Sequence, residues 1–333
     1  MKPATEQTET ENINKLAAGI IDGDRRLLAR AISLIESTRT NHRLLANALL
    51  NKVLSKRCHT LRLGISGVPG VGKSTFIEAL GLHLVEAGHR VAVLAIDPSS
   101  PRSGGAILGD KTRMEELSRH PNAFIRPSPS KGTLGGVARR TREVMLCIEA
   151  AGFDVLLIET VGVGQSETAV AGLTDMFILL IAPGGGDDLQ GIKRGIVELA
   201  DLIVVNKADG DLAATAERTQ RDYMAALHLM HPSKNAWATK VVKCSAMERT
   251  GIVEIWSAVE KFKRAAKVEG FLDQNRCDQA IDWMWNEITE ALVIELKSDP
   301  NVLAELEAIE ASVRGDAITP SLAAQKILKL FSK

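Results

Sequence analysis

Eight consecutive residues constrain what this chain can fold into more than any others: Gly67-Val68-Pro69-Gly70-Val71-Gly72-Lys73-Ser74. They follow the order G-x-x-x-x-G-K-[ST], which requires a buried strand before it and a helix after it. Leu61 to Ile65 reads as that strand and Thr75 to Glu86 as that helix. Glycines at 67, 70 and 72 reach backbone angles closed to other residues, so successive N–H groups can turn inward as an anion nest. Lys73 then reaches terminal phosphates, Ser74 offers its hydroxyl to Mg²⁺, and the N-terminus of the helix faces the same anion. The predicted phosphate seat comprises Gly67, Gly70, Val71, Gly72, Lys73, Ser74 and Thr75.

From Leu61 onward, short apolar runs alternate with helical stretches, the pattern of an α/β domain with a mainly parallel sheet flanked by helices. Strands are expected at Val91 to Ile96, Ala123 to Ile125, Val155 to Ile158, Met176 to Ala182, Leu202 to Val205 and Val241 to Cys244. The fold class is thus a P-loop NTPase, with a helical N-terminal extension (1–58), a nucleotide domain (59–266) and a helical C-terminal arm (267–333). In the extension, residues 1 to about 12 offer little to bury and are expected to fray. Asp22 or Asp24 caps a helix through Leu27, Leu28, Ala31, Ile32 and Ile35, and a second helix runs through Leu44, Leu45, Ala48, Leu49 and Val53. In the arm, Ile281, Trp285, Ile288, Leu292 and Leu296 share one helical face, and Leu303, Leu306, Ile309 and Val313 another. Such a stripe either packs back on its own domain or is covered by a second chain.

Forty-one basic and forty-one acidic side chains cancel, so no overall field draws the chain to nucleic acid or to an anionic membrane. The longest apolar run, Met176 to Ala182, is far short of a membrane span. The polar start resembles neither a secretory signal nor a transit peptide, which leaves the cytoplasm as the expected compartment. Cys58, Cys147, Cys244 and Cys277 stand apart, with no zinc spacing and no disulfide framework.

Three further motifs follow strands, where ligands sit in such sheets. Glu159, at the tip of a buried strand beside the phosphate loop, suits a Mg²⁺ ligand or its water-mediated partner, against the plainer reading of a strand-end carboxylate. Asn206-Lys207-Ala208-Asp209 suits guanine: Asp209 accepts from N1–H and the exocyclic amine together, and the Lys207 stem covers the base. A site built this way can reject adenine by roughly 10⁴ or more, because its carboxylate would be left unsatisfied. Cys244-Ser245-Ala246 is similar to the short loop that meets guanine O6 through backbone N–H, with Ser245 and Ala246 as the candidate contacts. GTP and GDP are therefore the expected nucleotides.

These motifs occur together with Asp97-Pro98-Ser99-Ser100, Gly104 to Met114, Arg126-Pro127-Ser128, Gly132 to Gly136, Glu159 to Thr168 and Gly184 to Lys193. In that order, over nearly the whole length, the chain resembles the methylmalonyl-CoA mutase-associated GTPase family, the MeaB/ArgK group. Ala106 stands where a serine or similar small residue is usual. The resemblance implies that Asp97, Asp110 and Glu159, with Ser74, surround the metal. It also implies that the segment from Asp187 to Lys193 is a mobile switch bringing Gln190 or Lys193 toward the nucleotide. A flexible glycine connection, or for Asp110 a solvated helix start, is the competing reading. It further implies a homodimer built by the arm, and a chaperone role for an adenosylcobalamin-dependent acyl-CoA mutase, above all methylmalonyl-CoA mutase, through gated cofactor loading and protection or reactivation.

Two alternatives share some of these motifs. One is a kinase or ATPase tied to lysine/arginine/ornithine transport, which would need an ATP preference. The other is a nickel-metallochaperone GTPase, which would need a Cys or His cluster. Arg126, Arg139 and Arg140 read as ordinary surface charges. Ras-like enzymes place a water-orienting glutamine directly after the switch glycine, but here Val163 holds that position and Gln165 lies further on, so slow intrinsic hydrolysis is expected.

Overall fold

The computed structural model describes residues 4–37, 39–56, 58–97, 114–129, 134–160, 166–184, 194–229 and 237–331. They form two compact units, Met1–Cys277 and Asp278–Lys333. The first is built on a seven-stranded sheet: β1 (Leu61–Gly67), β2 (Val91–Asp97), β3 (Ala123–Pro129), β4 (Val155–Thr160), β5 (Met176–Ile181), β6 (Leu202–Val205) and β7 (Lys240–Lys243). The order is β3-β2-β4-β1-β5-β6-β7, and every paired neighbour runs parallel. The expected strands are all present, with ends shifted by one or a few residues. A parallel sheet needs cover on both faces, and alternate residues of each strand divide accordingly. Leu156, Ile158, Phe177 and Leu179 enter one core, which the N-terminal helices complete. Val155, Leu157, Met176 and Ile178 enter the other, with Phe76, Ile77 and Phe262.

The N-terminal helices are α1 (Ala4–Ile21), α2 (Arg25–Ile35) and α3 (Thr40–Val53). Fraying over the first dozen residues is thus corrected, since α1 is already helical at Ala4. Its later turns bury Ile13, Ala17 and Ile20, and a helix anchored there extends backward at one hydrogen bond per added residue. Asp24 is the cap of α2, accepting from Arg26 N at 2.7 Å and Leu27 N at 3.1 Å. In α3 Leu49 and Val53 are buried as expected, while Leu44 and Ala48 are exposed and Ala46 is buried instead. The surface arginines acquire a structural use here. Arg126 pairs with Glu36, and Arg140 donates to the Glu36 carbonyl, so both hold the end of α2. Arg43 of α3 forks onto Glu143 in a similar way.

Further helices along the first unit are α4 (Lys73–Glu86), α5 (Glu115–Arg119), α6 (Leu134–Ala150), α7 (Ser166–Ala171), α8 (Arg194–Leu199), α9 (Ala213–Leu229) and α10 (Ile252–Val268). The helix α11 (Phe271–Ser298) begins in this unit and continues into the second, which also holds α12 (Pro300–Arg314) and α13 (Pro320–Phe331). On α11, Ile281, Met284, Trp285, Ile288 and Leu292 are exposed. On α12 the buried residues are Val302 and Ile309; Ile309 lies on the expected stripe, whereas Leu303 is exposed and its neighbour Val302 takes the buried place. Among the described residues, no helix is long and apolar enough to cross a membrane.

One local device recurs at the foot of the sheet. Asp154, Asp175 and Asp201 each stand one residue before a strand. Each donates its N–H to a residue of the neighbouring strand or its approach, and accepts that residue's N–H on its carboxylate. The partners are Arg90, Arg62 and Phe177 in turn. Such paired bonds fix register, which in a sheet with both faces buried cannot slip by one residue without turning every side chain over.

Burial pushes the Asp201 carboxyl up to about 6, only partly offset by the Phe177 N–H that donates to it. An acid whose pKa rises on folding favours the protonated folded form. The cost is absent below about pH 4 and accumulates as pH rises to 6, reaching on the order of 3 kcal/mol. Asp201→Asn is therefore expected to stabilise the protein at pH 7 and to flatten its stability between pH 4 and 6, as measured by urea unfolding across that range. Parallel curves for variant and parent would refute this account.

Candidate functional site

Strand β1 lies between β4 and β5, so the chain reverses its direction of winding there and opens a crevice at the strand tips. The phosphate loop leaves the sheet at Gly67, whose φ of 153° lies in the region closed to side chains. A Cβ at Gly67 would sit 2.5 Å from the Leu180 carbonyl. Gly70 and Gly72 are also left-handed, at φ 80° and 93°, and Gly72 caps α4. Lys73 is nearly buried, and its Nζ donates to the carbonyls of Gly67 at 2.7 Å and Val68 at 3.3 Å. The loop is thereby wrapped around its own lysine. Val71 is buried, and Thr75 follows in the first turn of α4.

The base motif joins this loop directly. Asn206, buried at the tip of β6, donates from Nδ2 to the Val71 carbonyl at 2.9 Å. Its Oδ1 accepts from the Ala246 N–H at 3.1 Å and from the Cys244 thiol at 3.4 Å. Burial, with the Asp209 carboxylate adding to it, pushes that thiol up to about 12, so it stays a neutral donor. Lys207, itself left-handed at φ 59°, stretches to the Gly70 carbonyl at 2.7 Å. Asp209 accepts the Ser245 hydroxyl on Oδ2, and Ser245 Oγ accepts from Glu248 N at 3.0 Å. Segments distant in sequence thus meet as one seat: residues 67–75, 206–209 and 244–246.

Glu159, at the tip of β4, is 3% exposed and accepts the Ser74 hydroxyl on Oε1 at 3.2 Å. A hydroxyl and a carboxylate side by side form a hard oxygen donor set, which fits Mg²⁺. Asp97 ends β2, and its side chain lies outside the described residues, as do Asp110, Gln190 and Lys193. Sequence reasoning missed two contributors. Thr160 donates to Ser66 Oγ at 3.0 Å and ties the tips of β4 and β1; small hydroxyls within apolar strands were the available signal. Cys244 belongs to the expected Cys244-Ser245-Ala246 loop, but nothing in the sequence signalled its thiol as a donor to Asn206.

The family described as "Methylmalonyl Co-A mutase-associated GTPase MeaB" matches residues 28–301. A probable GTPase of Mycobacterium tuberculosis is 52% identical over 322 residues, 97% of this chain and 96% of that protein. The "Methylmalonic aciduria type A homolog, mitochondrial" of Mus musculus is 48% identical, over 97% of this chain and 80% of that one. A crystal structure described as an LAO/AO transport system kinase superposes with a TM-score of 0.78 at 37% identity, covering 97% of this chain and 98% of the other.

Gly72 offers the sharpest test of the seat. A Cβ there would lie 2.7 Å from Asn206 Nδ2, on a backbone that costs an L-residue roughly 1–2 kcal/mol. Gly72→Ala is expected to weaken nucleotide binding by about tenfold or more, read by calorimetric titration. Unchanged affinity would place the ligand elsewhere.

Proposed function

Because the chain belongs to the methylmalonyl-CoA mutase-associated GTPase family, we propose that it hydrolyses GTP to GDP and phosphate in order to serve an adenosylcobalamin-dependent acyl-CoA mutase. Methylmalonyl-CoA mutase is the partner that the family's description favours, and the mouse relative's name points to the same metabolism. The nucleotide state would gate loading of the mutase's cofactor and protect or reactivate that enzyme. The observation that carries the guanine reading is the double grip of Asn206, which fastens the base motif to the phosphate loop on one side and to the Ala246 loop on the other.

In this reading Asp209 accepts from guanine N1–H and the exocyclic amine, Lys207 covers the base, and the Ala246 N–H side of the loop faces O6. Lys73 exchanges its loop carbonyls for the β- and γ-phosphates, which a primary ammonium can do by rotating its flexible stem. Ser74 and Glu159 would hold Mg²⁺, together with Asp97 and Asp110. Bound there, Mg²⁺ supplies charge neutralisation for the phosphate oxygens. Gln190 and Lys193 would approach from the segment after β5. With Val163 in the position of the water-orienting glutamine, the isolated protein hydrolyses slowly, and a group supplied by the partner or by rearranged switches could add roughly 10³ to 10⁵ in rate.

Cytoplasmic residence and a homodimer complete the proposal. The exposed Ile281, Met284, Trp285, Ile288 and Leu292 on α11 form an apolar stripe of the kind that a second copy covers. Residues 267–333 would supply this dimerisation arm, with 1–58 as a helical extension of the nucleotide domain at 59–266. The name of the 37% identical crystal structure raises a kinase reading, and the choice of base decides between the two.

GTP is expected to displace a fluorescent guanine nucleotide with ATP ineffective, and single-turnover hydrolysis is expected to accelerate when methylmalonyl-CoA mutase is added. Preference for ATP would favour the kinase, and equal rates with and without the mutase would refute partner gating. Replacing Trp285 and Ile288 together by Glu should convert a dimer to a monomer in sedimentation; a dimer that survives would remove the stripe as its main contact.

A further inference from the structure

Of the three aspartates that clamp strand feet, Asp175 alone receives a guanidinium from the helix that follows the nucleotide domain. Its side chain is fully buried. It holds the Arg62 N–H at 2.9 Å, and its own N–H meets the Arg62 carbonyl at 2.9 Å. Arg276, early in α11, brings Nε to Oδ1 at 2.8 Å and Nη2 to Oδ2 at 2.6 Å. Nη2 also donates to the Thr60 carbonyl at 2.6 Å, the residue before β1. The Arg62 guanidinium is engaged elsewhere, on the buried Glu149. One arginine therefore binds the foot of β5 through a carboxylate and the foot of β1 through a carbonyl.

We infer that Arg276 is a positioning residue for the nucleotide site: acting through Asp175 and Thr60, it fixes β1 against β5 and so sets where the phosphate loop leaves the sheet. The inference rests on the guanine-nucleotide reading above. Strand β1 carries a displacement from foot to tip because it is paired on both sides, Leu61 to Ile65 with β4 and Leu63 to Gly67 with β5. The distance from Arg62 to Gly67 is five residues, about 17 Å. At the far end the contact with β5 is backbone against backbone, where Gly67 meets the Leu180 carbonyl too closely for any Cβ. Val71 Cγ1 and Leu180 Cβ stand close to the same point, at 3.1 and 3.2 Å from where a Cβ would lie, so little space is left to absorb a shift. Loss of Arg276 would leave the buried Asp175 carboxylate without its countercharge and leave the two feet tied only by the Arg62–Asp175 bonds, with the Thr60 tie gone.

The test uses full-length protein with Arg276→Ala, Arg276→Lys and the double variant Arg276→Ala/Asp175→Asn. Two quantities are read: thermal melting without nucleotide, and affinity for fluorescently labelled GDP at a temperature where each variant is folded. Arg276→Ala is expected to weaken GDP by about tenfold, as misplacements remote from a site can. Arg276→Lys should recover only part of this, because an ammonium lacks the planar fork that serves Asp175 and Thr60 together. The double variant should regain melting temperature through removal of the buried charge while GDP binding stays weak. If Arg276→Ala does not fold, the lysine and double variants decide the matter. Wild-type GDP affinity in variants that melt lower would overturn the inference and leave Arg276 a purely structural residue. A parent protein that binds ADP and not GDP would instead sink the guanine reading, and the same affinity ratio measured with ADP would still decide the role of Arg276.

Discussion

Everything at the nucleotide end depends on the central placement of β1, hydrogen-bonded to β4 on one side and β5 on the other. A strand held on both edges is stiff, and its last residue, Gly67, touches the Leu180 carbonyl with no space for a side chain. The phosphate loop therefore starts from a point defined by backbone contacts, which are the least compressible the fold can offer. Thr160 and Ser66 reinforce the same tips with a buried hydroxyl pair.

The two ends of the sheet are built from different chemistry. At the feet, carboxylates answer backbone N–H groups and arginines: Asp175 with Arg62 and Arg276, Glu149 with Arg62, and Asp154 with Arg90. Asp175 and Glu149 are deeply buried, and charges placed so are tolerated only when closely partnered, while the directional bonds of Asp175 and of the half-exposed Asp154 hold register. At the tips, amide, hydroxyl and thiol groups predominate around Lys73 and Glu159, and their hydrogen bonds can be exchanged without separating full charges. In the proposed reading the loop releases Lys73 from its carbonyls to meet a phosphate, which needs that lower cost of rearrangement.

Much of this was legible from residue order. The phosphate loop, the strand-end Glu159 and the Asn206 to Asp209 tetrapeptide are local patterns whose chemistry is carried by residue type and spacing. The strands were legible because burial on both faces demands continuous apolar runs. The helical start of α1 was not, since its first turns are polar and gain order from Ile13, Ala17 and Ile20 further along. Nor was the exposure of Leu44 on α3 and Leu303 on α12, which depends on which neighbour each helix meets. Arg126 and Arg140 looked like surface charges for the same reason: their partner, Glu36, lies some ninety or more residues away.

The sequence by itself determined the chemistry on offer: a glycine-framed loop of the phosphate-binding pattern, an oxygen set suited to magnesium and a tetrapeptide suited to guanine, all at strand ends. Only the tertiary structure decided how they act as one site. It placed Asn206 between Val71 and Ala246, set Lys207 across to Gly70, and recruited Arg276 to the foot of the strand that bears the loop. The physical reason is that residue types and local spacing fix what a group can bond, whereas partners 40 to more than 200 residues apart are chosen by strand order and helix packing.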